Sequence, residues 1–458
     1  MKRALILAAG KGTRMKSALP KVLHPICGEP MLAHVLRAVD GAGIDDVTVI
    51  VSPELDALLD GTAARPRRTV VQEPQLGTGH AVQVALAAMP PSGGPLLICS
   101  GDMPLVTSEL LRRTMDALAG HNGGGVERIA CALVTARMPL PSNFGRIIRD
   151  AYGHVRSIVE ARDATSEELA INEMNAGIYA FDEAVLREAL PRLSNRNAQA
   201  EYYLTDVIAL AVADEHVVVP VPCDDYRITL GINDRVELAQ AQRIMNAQLC
   251  ERWMREGVTI EDPETTYLER GVELARDVTI LHNTSLRGRT SVGEHSTIGP
   301  DTELTDAVVG QRCHIRRSVA TEAVIGNDVV VGPFAHLRPG TVLDDDVRVG
   351  NYVEIKKSRL GKRSKANHLA YIGDAELGRN VNFSAGAITC NYDGTSKNRT
   401  KIGDNAFIGT NSSLRAPIEI GEGALTGAGS VVLHDVAPGE RVAGNPARPL
   451  PTETKSKT

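Results

Sequence analysis

Residues 323–350 read AVIGNDVVVGPFAHLRPGTVLDDDVRVG. An aliphatic side chain returns at every sixth position, Ile325, Val331, Leu337, Leu343 and Val349, and Gly follows it at 326, 332 and 350. The same beat runs through Val292-Gly293 and Ile298-Gly299 upstream and through Ile402-Gly403, Ile408-Gly409, Leu414 and Ile420-Gly421 downstream. A period of six is neither helical nor that of an ordinary strand. It belongs to a β-solenoid whose coil, about eighteen residues long, is three short strands, each turning one aliphatic side chain inward. A narrow prism filled by Val, Ile, Leu and Ala also accounts for an aromatic content of only 3%. A β-sandwich has no reason to keep this period. The beat breaks at Asn391–Thr400, an insertion of the kind that forms a loop on one face and lines a site.

Toward the N-terminus the pattern changes. Apolar runs such as Ala4-Leu5-Ile6-Leu7, Val47-Thr48-Val49-Ile50-Val51 and Leu96-Leu97-Ile98-Cys99 alternate with helical stretches such as Met31 to Ala42 and His80 to Met89. That alternation reads as an α/β layer around a mostly parallel sheet. Between the two patterns, Asp234 to Glu256 is built of good helix formers and stops at Gly257. The expected organisation is therefore a Rossmann-like α/β domain over 1–230, a linker helix over 231–256, a parallel β-helix over 257–450 and a disordered tail over 451–458.

Composition narrows the partners. The 458 residues carry 50 Lys and Arg against 56 Asp and Glu, a net charge of −6, so neither nucleic acid nor an anionic membrane is an expected partner. No apolar run is long enough to cross a bilayer, and the chain reads as cytoplasmic. Seven cysteines, at 27, 99, 131, 223, 250, 313 and 390, include no C-x-x-C pair and suggest neither a disulfide framework nor zinc.

The chemistry of the first half starts in Leu7-Ala8-Ala9-Gly10-Lys11-Gly12-Thr13-Arg14-Met15, directly after the first strand and before Pro20-Lys21. Small residues let backbone N–H groups approach phosphate oxygens, and Arg14 and Lys21 supply neutralising charge. It is not a dinucleotide fingerprint, since Met15 stands at the third Gly, nor a Walker loop. Gln72 to Ala81 (QEPQLGTGHA) adds a second Gly turn with groups suited to a pyrimidine edge. In Ser100-Gly101-Asp102-Met103-Pro104, a carboxylate follows a buried strand, where a metal-bound phosphate would sit, although a turn residue reads the same way.

These three segments in this order resemble the sugar-nucleotide pyrophosphorylases. Joined to a hexapeptide β-helix carrying KANHLAYIGDA at 365–375 and TCNYDG at 389–394, the chain resembles the bifunctional bacterial N-acetylglucosamine-1-phosphate uridyltransferases / glucosamine-1-phosphate N-acetyltransferases. The resemblance implies a left-handed β-helix, Mg²⁺ as cofactor, UTP, acetyl-CoA, glucosamine 1-phosphate and N-acetylglucosamine 1-phosphate as ligands, and a homotrimer. For uridyl transfer it implies Leu7, Ala8, Gly10, Gln72, Gly77 and Thr78 on the nucleotide, with Arg14 and Lys21 as catalytic cations. It places Gly145, Glu160, Asn175 and Asn233 on the sugar, and Asp102 and Asn233 on the metal. For acetyl transfer it implies His368 as general base, a role that a reference pKa of about 6.5 suits, and Arg338, Lys356, Tyr371 and Asn382 on the sugar phosphate. Ala385, Asn391, Tyr392, Lys397, Thr410, Ala428 and Arg448 fall to acetyl-CoA, Asn391 and Lys397 also to the sugar and its phosphate; Arg441 rivals Arg448 for the coenzyme phosphate. His368 lies in a basic run, Lys356, Lys357, Arg359, Lys362, Arg363 and Lys365, expected to surround it. Two positions depart from the family pattern: Asn367 where a small residue is common, and Thr410 where Ser is usual. A single-activity nucleotidyltransferase with a purely structural β-helix is the alternative, and the set His368, Asn391, Tyr392 and Lys397 speaks against it.

Overall fold

The computed structural model describes residues 2–450 apart from 61, 63, 65, 67 and 120–127, so the 451–458 segment expected to be disordered lies outside the described residues. The chain divides into two compact units, Met1–Met245 and Asn246–Thr458.

In the first unit a mixed sheet runs, edge to edge, Val217–Cys223, Ile129–Arg137, Glu173–Asp182, Pro95–Ser100, Arg3–Leu7, Asp46–Val51 and Thr69–Val71. Only Glu173–Asp182 is antiparallel to its neighbours in this path. Strands here are apolar at consecutive positions because both faces are covered. Ala4 and Ile6 enter one core with Val49, Val51, Leu97 and Cys99, while Leu5 enters the other with Ile50, Leu96 and Ile98. The Gly loop leaves the C-terminal end of Arg3–Leu7, where the Gly101 N–H donates to Leu7 O at 2.8 Å and brings the Asp102 turn alongside. Open α/β sheets bind ligands at this edge.

The expected connector forms as a helix over Arg235–Arg255. Its Asn246 is buried and clips it to the first coil: Nδ2 donates to Thr266 O at 2.7 Å and Oδ1 accepts from the Leu268 N–H at 2.9 Å.

The second unit is three parallel sheets of 12, 10 and 9 short strands, the last strand of the first sheet alone turning back antiparallel. The six-residue beat walks around them: Ile402 lies in the third sheet, Ile408 in the first, Leu414 in the second and Ile420 in the third again. All four are buried. Coils are shorter than eighteen residues in places, because Ile280 pairs with Ile298 but Ile298 with Ile315 and Ile315 with Val331. Corners absorb the difference. One corner column is left-handed at Asn283, Asp301, Arg317, Phe334, Tyr352, Leu369, Gly386 and Asn411, with φ between 44° and 71°. Buried hydroxyls tie successive coils: Ser358 Oγ donates to Lys356 O at 2.8 Å and accepts from the Ala375 N–H at 2.9 Å. Where coils press closest only Gly fits; a Cβ on Gly350 would lie 1.9 Å from Asn367 O.

Candidate functional sites

Ten of the residues singled out in the first half line one cavity of about 430 Å³: Leu7, Ala8, Gly10, Arg14, Lys21, Gln72, Gly77, Thr78, Asp102 and Asn233. Gln72 is buried, and its Nε2 donates to Gly77 O at 3.0 Å, which pins the second Gly turn. Gly77 has φ +110° and a Cβ there would meet Tyr202 O at 2.6 Å, so no other residue suits it. Thr78 begins the helix Thr78–Ala87 and lines the cavity, its hydroxyl accepting from the Leu204 N–H at 3.0 Å. Arg14 is exposed and has no ion-pair partner among the described residues, which leaves its charge available to a phosphate.

Lys21 is differently placed. Its ammonium is in contact with Asp102 Oδ2 and lies 3.2 Å from Asn233 Oδ1, all three brought together from distant parts of the chain. Asn233 is held in turn, its N–H donating to Glu237 Oε2 at 2.6 Å, and the Ile232 N–H donates to Asp102 O at 2.9 Å. One carboxylate and one amide oxygen already converge on a cation. Hard oxygen donors of this kind suit Mg²⁺, and with only two protein ligands the ion would draw its others from phosphate and water.

Gly145, Glu160 and Asn175 also come together, beside a second cavity of about 270 Å³ lined by Arg14 and Glu160. Gly145 O accepts from the Asn175 N–H at 2.8 Å, and a Cβ on Gly145 would meet Ile158 Cγ2 at 2.9 Å, with the Glu160 carboxylate next to it at 3.5 Å. Asn175 Nδ2 donates to the Tyr179 hydroxyl at 2.7 Å. Burial pushes the Glu160 carboxyl above its ordinary range, Asp206 and Asp163 push the same way, and the Thr205 hydroxyl, donating at 3.1 Å, opposes them. Thr205 and the cavity-lining Glu201 were not read from the sequence. Their segment, EYYLTD at 201–206, has no period to mark it; a polar and aromatic run between two helical stretches was the available signal.

In the second unit one side of one corner collects four of the residues expected to serve acetyl transfer. Asn351, His368, Ala385, Thr410 and Ala428 each immediately precede the left-handed corner residue of their coils. The corner N–H groups of Leu369, Asn411 and Gly429 donate to Asn351, Ala385 and Thr410 O at 3.0, 2.8 and 2.7 Å. The three small side chains therefore continue the column that His368 occupies. Arg448 lies on the final strand, in register with Ala443.

Around the corner, Lys356 pairs in register with Gly373 and Glu354 with Tyr371. Arg338 is spent partly on Glu354, at 2.6 Å. Tyr371 and Asn391 both lie over Gly373, where a Cβ would meet the Tyr371 hydroxyl at 2.4 Å and Asn391 Nδ2 at 2.7 Å. Asn382 Nδ2 donates to Ser384 Oγ at 2.8 Å. The insertion folds on itself: Tyr392 bridges Lys397, whose ammonium lies 4.5 Å from the centre of the Tyr392 ring. Asp393 accepts from the Thr395 and Ser396 N–H groups at 2.8 Å, which holds its carboxyl far below the usual range.

The basic run does not surround His368. Lys356, Arg359 and Lys365 fall on three different sheets because the period turns the chain to a new face every six residues. Arg359 pairs with Asp344 at 3.0 Å and Lys362 with Asp345 and Asp346 at 3.8 and 3.7 Å. What His368 meets instead is Asn351.

A cavity at the ligand-binding edge of an α/β sheet and, in the same chain, a β-helix with its own residue cluster together define a two-site transferase. Residues 4–170 match the MobA-like NTP transferase domain, and residues 322–357 and 399–434 match the bacterial transferase hexapeptide (six repeats) family. Proteins named "Bifunctional protein GlmU" are similar over nearly the whole length. That of Geobacillus sp. strain WCH70 is 47% identical over 94% of this chain and 93% of its own. That of Halalkalibacterium halodurans is 46% identical over 94% of each, and that of Geobacillus thermodenitrificans 46% identical over 98% of this chain and 96% of its own. The chain belongs to the GlmU family, and it is a bifunctional uridyltransferase and acetyltransferase whose acetyltransferase half is a left-handed β-helix.

Proposed function

We propose that the β-helix acetylates glucosamine 1-phosphate from acetyl-CoA and that the α/β unit then joins the product to UTP, giving UDP-N-acetylglucosamine and pyrophosphate for cell-wall synthesis in the cytoplasm. The observation that carries this reading is the convergence of Arg14, Lys21, Asp102 and Asn233 on one cavity of nucleotide size. In acetyl transfer the sugar amine attacks the thioester carbonyl, His368 takes the amine proton, and the C–S bond breaks to release coenzyme A. Arg338 and Lys356 hold the sugar phosphate, Tyr371, Asn382 and Asn391 orient the sugar, and Ala385, Tyr392, Lys397, Thr410, Ala428 and Arg448 accommodate the coenzyme.

In uridyl transfer a phosphate oxygen of N-acetylglucosamine 1-phosphate attacks the α-phosphorus of UTP and pyrophosphate leaves. Leu7, Ala8, Gly10, Gln72, Gly77 and Thr78 enclose the nucleoside and its phosphates; Gly145, Glu160 and Asn175 orient the sugar. Arg14 and Lys21 lower the repulsion between two polyanions. Mg²⁺ held by Asp102 and Asn233 would supply further neutralisation. One assay containing glucosamine 1-phosphate, acetyl-CoA, UTP and Mg²⁺ tests both halves: free thiol should appear first and pyrophosphate after it. Thiol release without pyrophosphate, or neither product, refutes the sequence of steps.

Glu160→Gln separates sugar binding from folding. A carboxyl whose folded pKa is raised favours the fold fully below its unfolded pKa, and that contribution is lost as pH rises through the folded value. The neutral variant should therefore melt above the parent at pH 7–8, and the gap should close in acid, while the KM for N-acetylglucosamine 1-phosphate rises about tenfold or more. Equal melting at all pH values would contradict the burial argument. Hexapeptide repeats are consistent with an oligomer, and we propose a homotrimer; a sedimenting monomer that still acetylates would count against it.

A further inference from the structure

Asn351 and His368 are register partners on adjacent parallel strands, and His368 Nδ1 lies 2.9 Å from Asn351 Oδ1. We propose that Asn351 is a positioning residue for acetyl transfer, fixing the tautomer and aim of the His368 imidazole; this rests on the reading of His368 as the base. An amide oxygen can only accept, so the proton of the neutral ring is on Nδ1 and the lone pair is on Nε2, free to take a proton from the sugar amine.

The backbone makes the same residue a second clamp. Asn351 O accepts the Leu369 N–H at 3.0 Å, so one residue holds both the ring of His368 and the corner that follows it. Asn351 is itself confined. Gly350 before it packs against the Asn367 carbonyl with no room for a Cβ. Tyr352 after it is left-handed, with φ 55°, and its ring stacks on Phe334 at 5.4 Å and 13°. The partner is also chemically apt: a neutral acceptor orients the ring without the negative charge that would hold a proton on it and weaken its release to solvent after turnover.

Three variants test the proposal. Asn351→Leu, close in size but without an acceptor, should lower kcat for acetylation about 10- to 100-fold, the scale seen when an outer partner of a functional histidine is removed, with both KM values changed less than about twofold. Asn351→Asp keeps an acceptor and should retain the Nδ1–H tautomer and a rate above that of Asn351→Leu but below the parent's, because its charge holds a proton on the ring. Protein labelled with ¹⁵N-histidine, with the His368 signals assigned as those missing from His368→Gln, should show the Nδ1–H tautomer in the parent and a mixture in Asn351→Leu. A parent His368 protonated on Nε2, an Asn351→Leu enzyme with normal kcat, or a loss confined to KM would each overturn the positioning role. If His368→Gln itself acetylates normally, the reading of His368 as base fails instead, and the two failures are distinguished.

Discussion

Asp102→Ala is expected to lower pyrophosphate release about 10³-fold or more while thiol release continues at the parent rate. Two effects combine in that loss. The variant deletes the only carboxylate in the cavity's oxygen pair, and it frees Lys21, whose ammonium contacts Asp102 and lies 3.2 Å from Asn233. Asp102→Asn separates them, because the amide oxygen can still accept from Lys21 but carries no charge. It should fall between parent and Asp102→Ala, and added Mn²⁺ or Mg²⁺ should raise its rate further than it raises the parent's. Acetylation is spared because Asp102 sits on a unit with its own core, apart in the chain from the β-helix residues. Normal pyrophosphate release from Asp102→Ala, at ordinary Mg²⁺, would remove Asp102 from the metal site.

Much of this arrangement was legible in the chain. Runs such as Ala4-Leu5-Ile6 show no alternation because both sheet faces are covered, and the six-residue beat records the inward side chain of each β-helix face. Short-range motifs survived for the same reason: the Gly loop and the Asp102 turn each sit at the end of a buried strand. What escaped depends on coil length. Whether Lys362 approaches His368 is decided by which face each residue reaches, and coils of unequal length cannot be counted from the beat alone. The Asn351–His368 contact joins residues 17 apart, and an asparagine before a corner has no signature in one sequence. Thr205 reaches Glu160 across 45 residues of chain, a neighbourhood set by the packing of the helix Asp206–Ala213 and not by spacing.

The second large effect is expected at His368. Neither Ala385, Thr410 nor Ala428, which continue its column, carries a group able to accept a proton from an ammonium-derived amine near neutral pH, and Tyr371 across the corner is a phenol. Asp374 accepts from Asn391 Nδ2 and Glu354 is paired with Arg338, so both of these carboxylates are engaged. His368 is exposed and presents an imidazole, a side chain that general bases most often use, beside the small residues of the column. His368→Ala should therefore lower kcat for acetylation about 10²- to 10⁴-fold, with the KM for acetyl-CoA and for glucosamine 1-phosphate nearly unchanged and uridyl transfer untouched. Raising the pH should recover part of the lost rate, because a larger fraction of the sugar amine is then already deprotonated and needs no base. A variant that binds poorly but turns over normally at saturating substrate, with no such recovery, would make His368 a binding residue and leave proton removal to solvent.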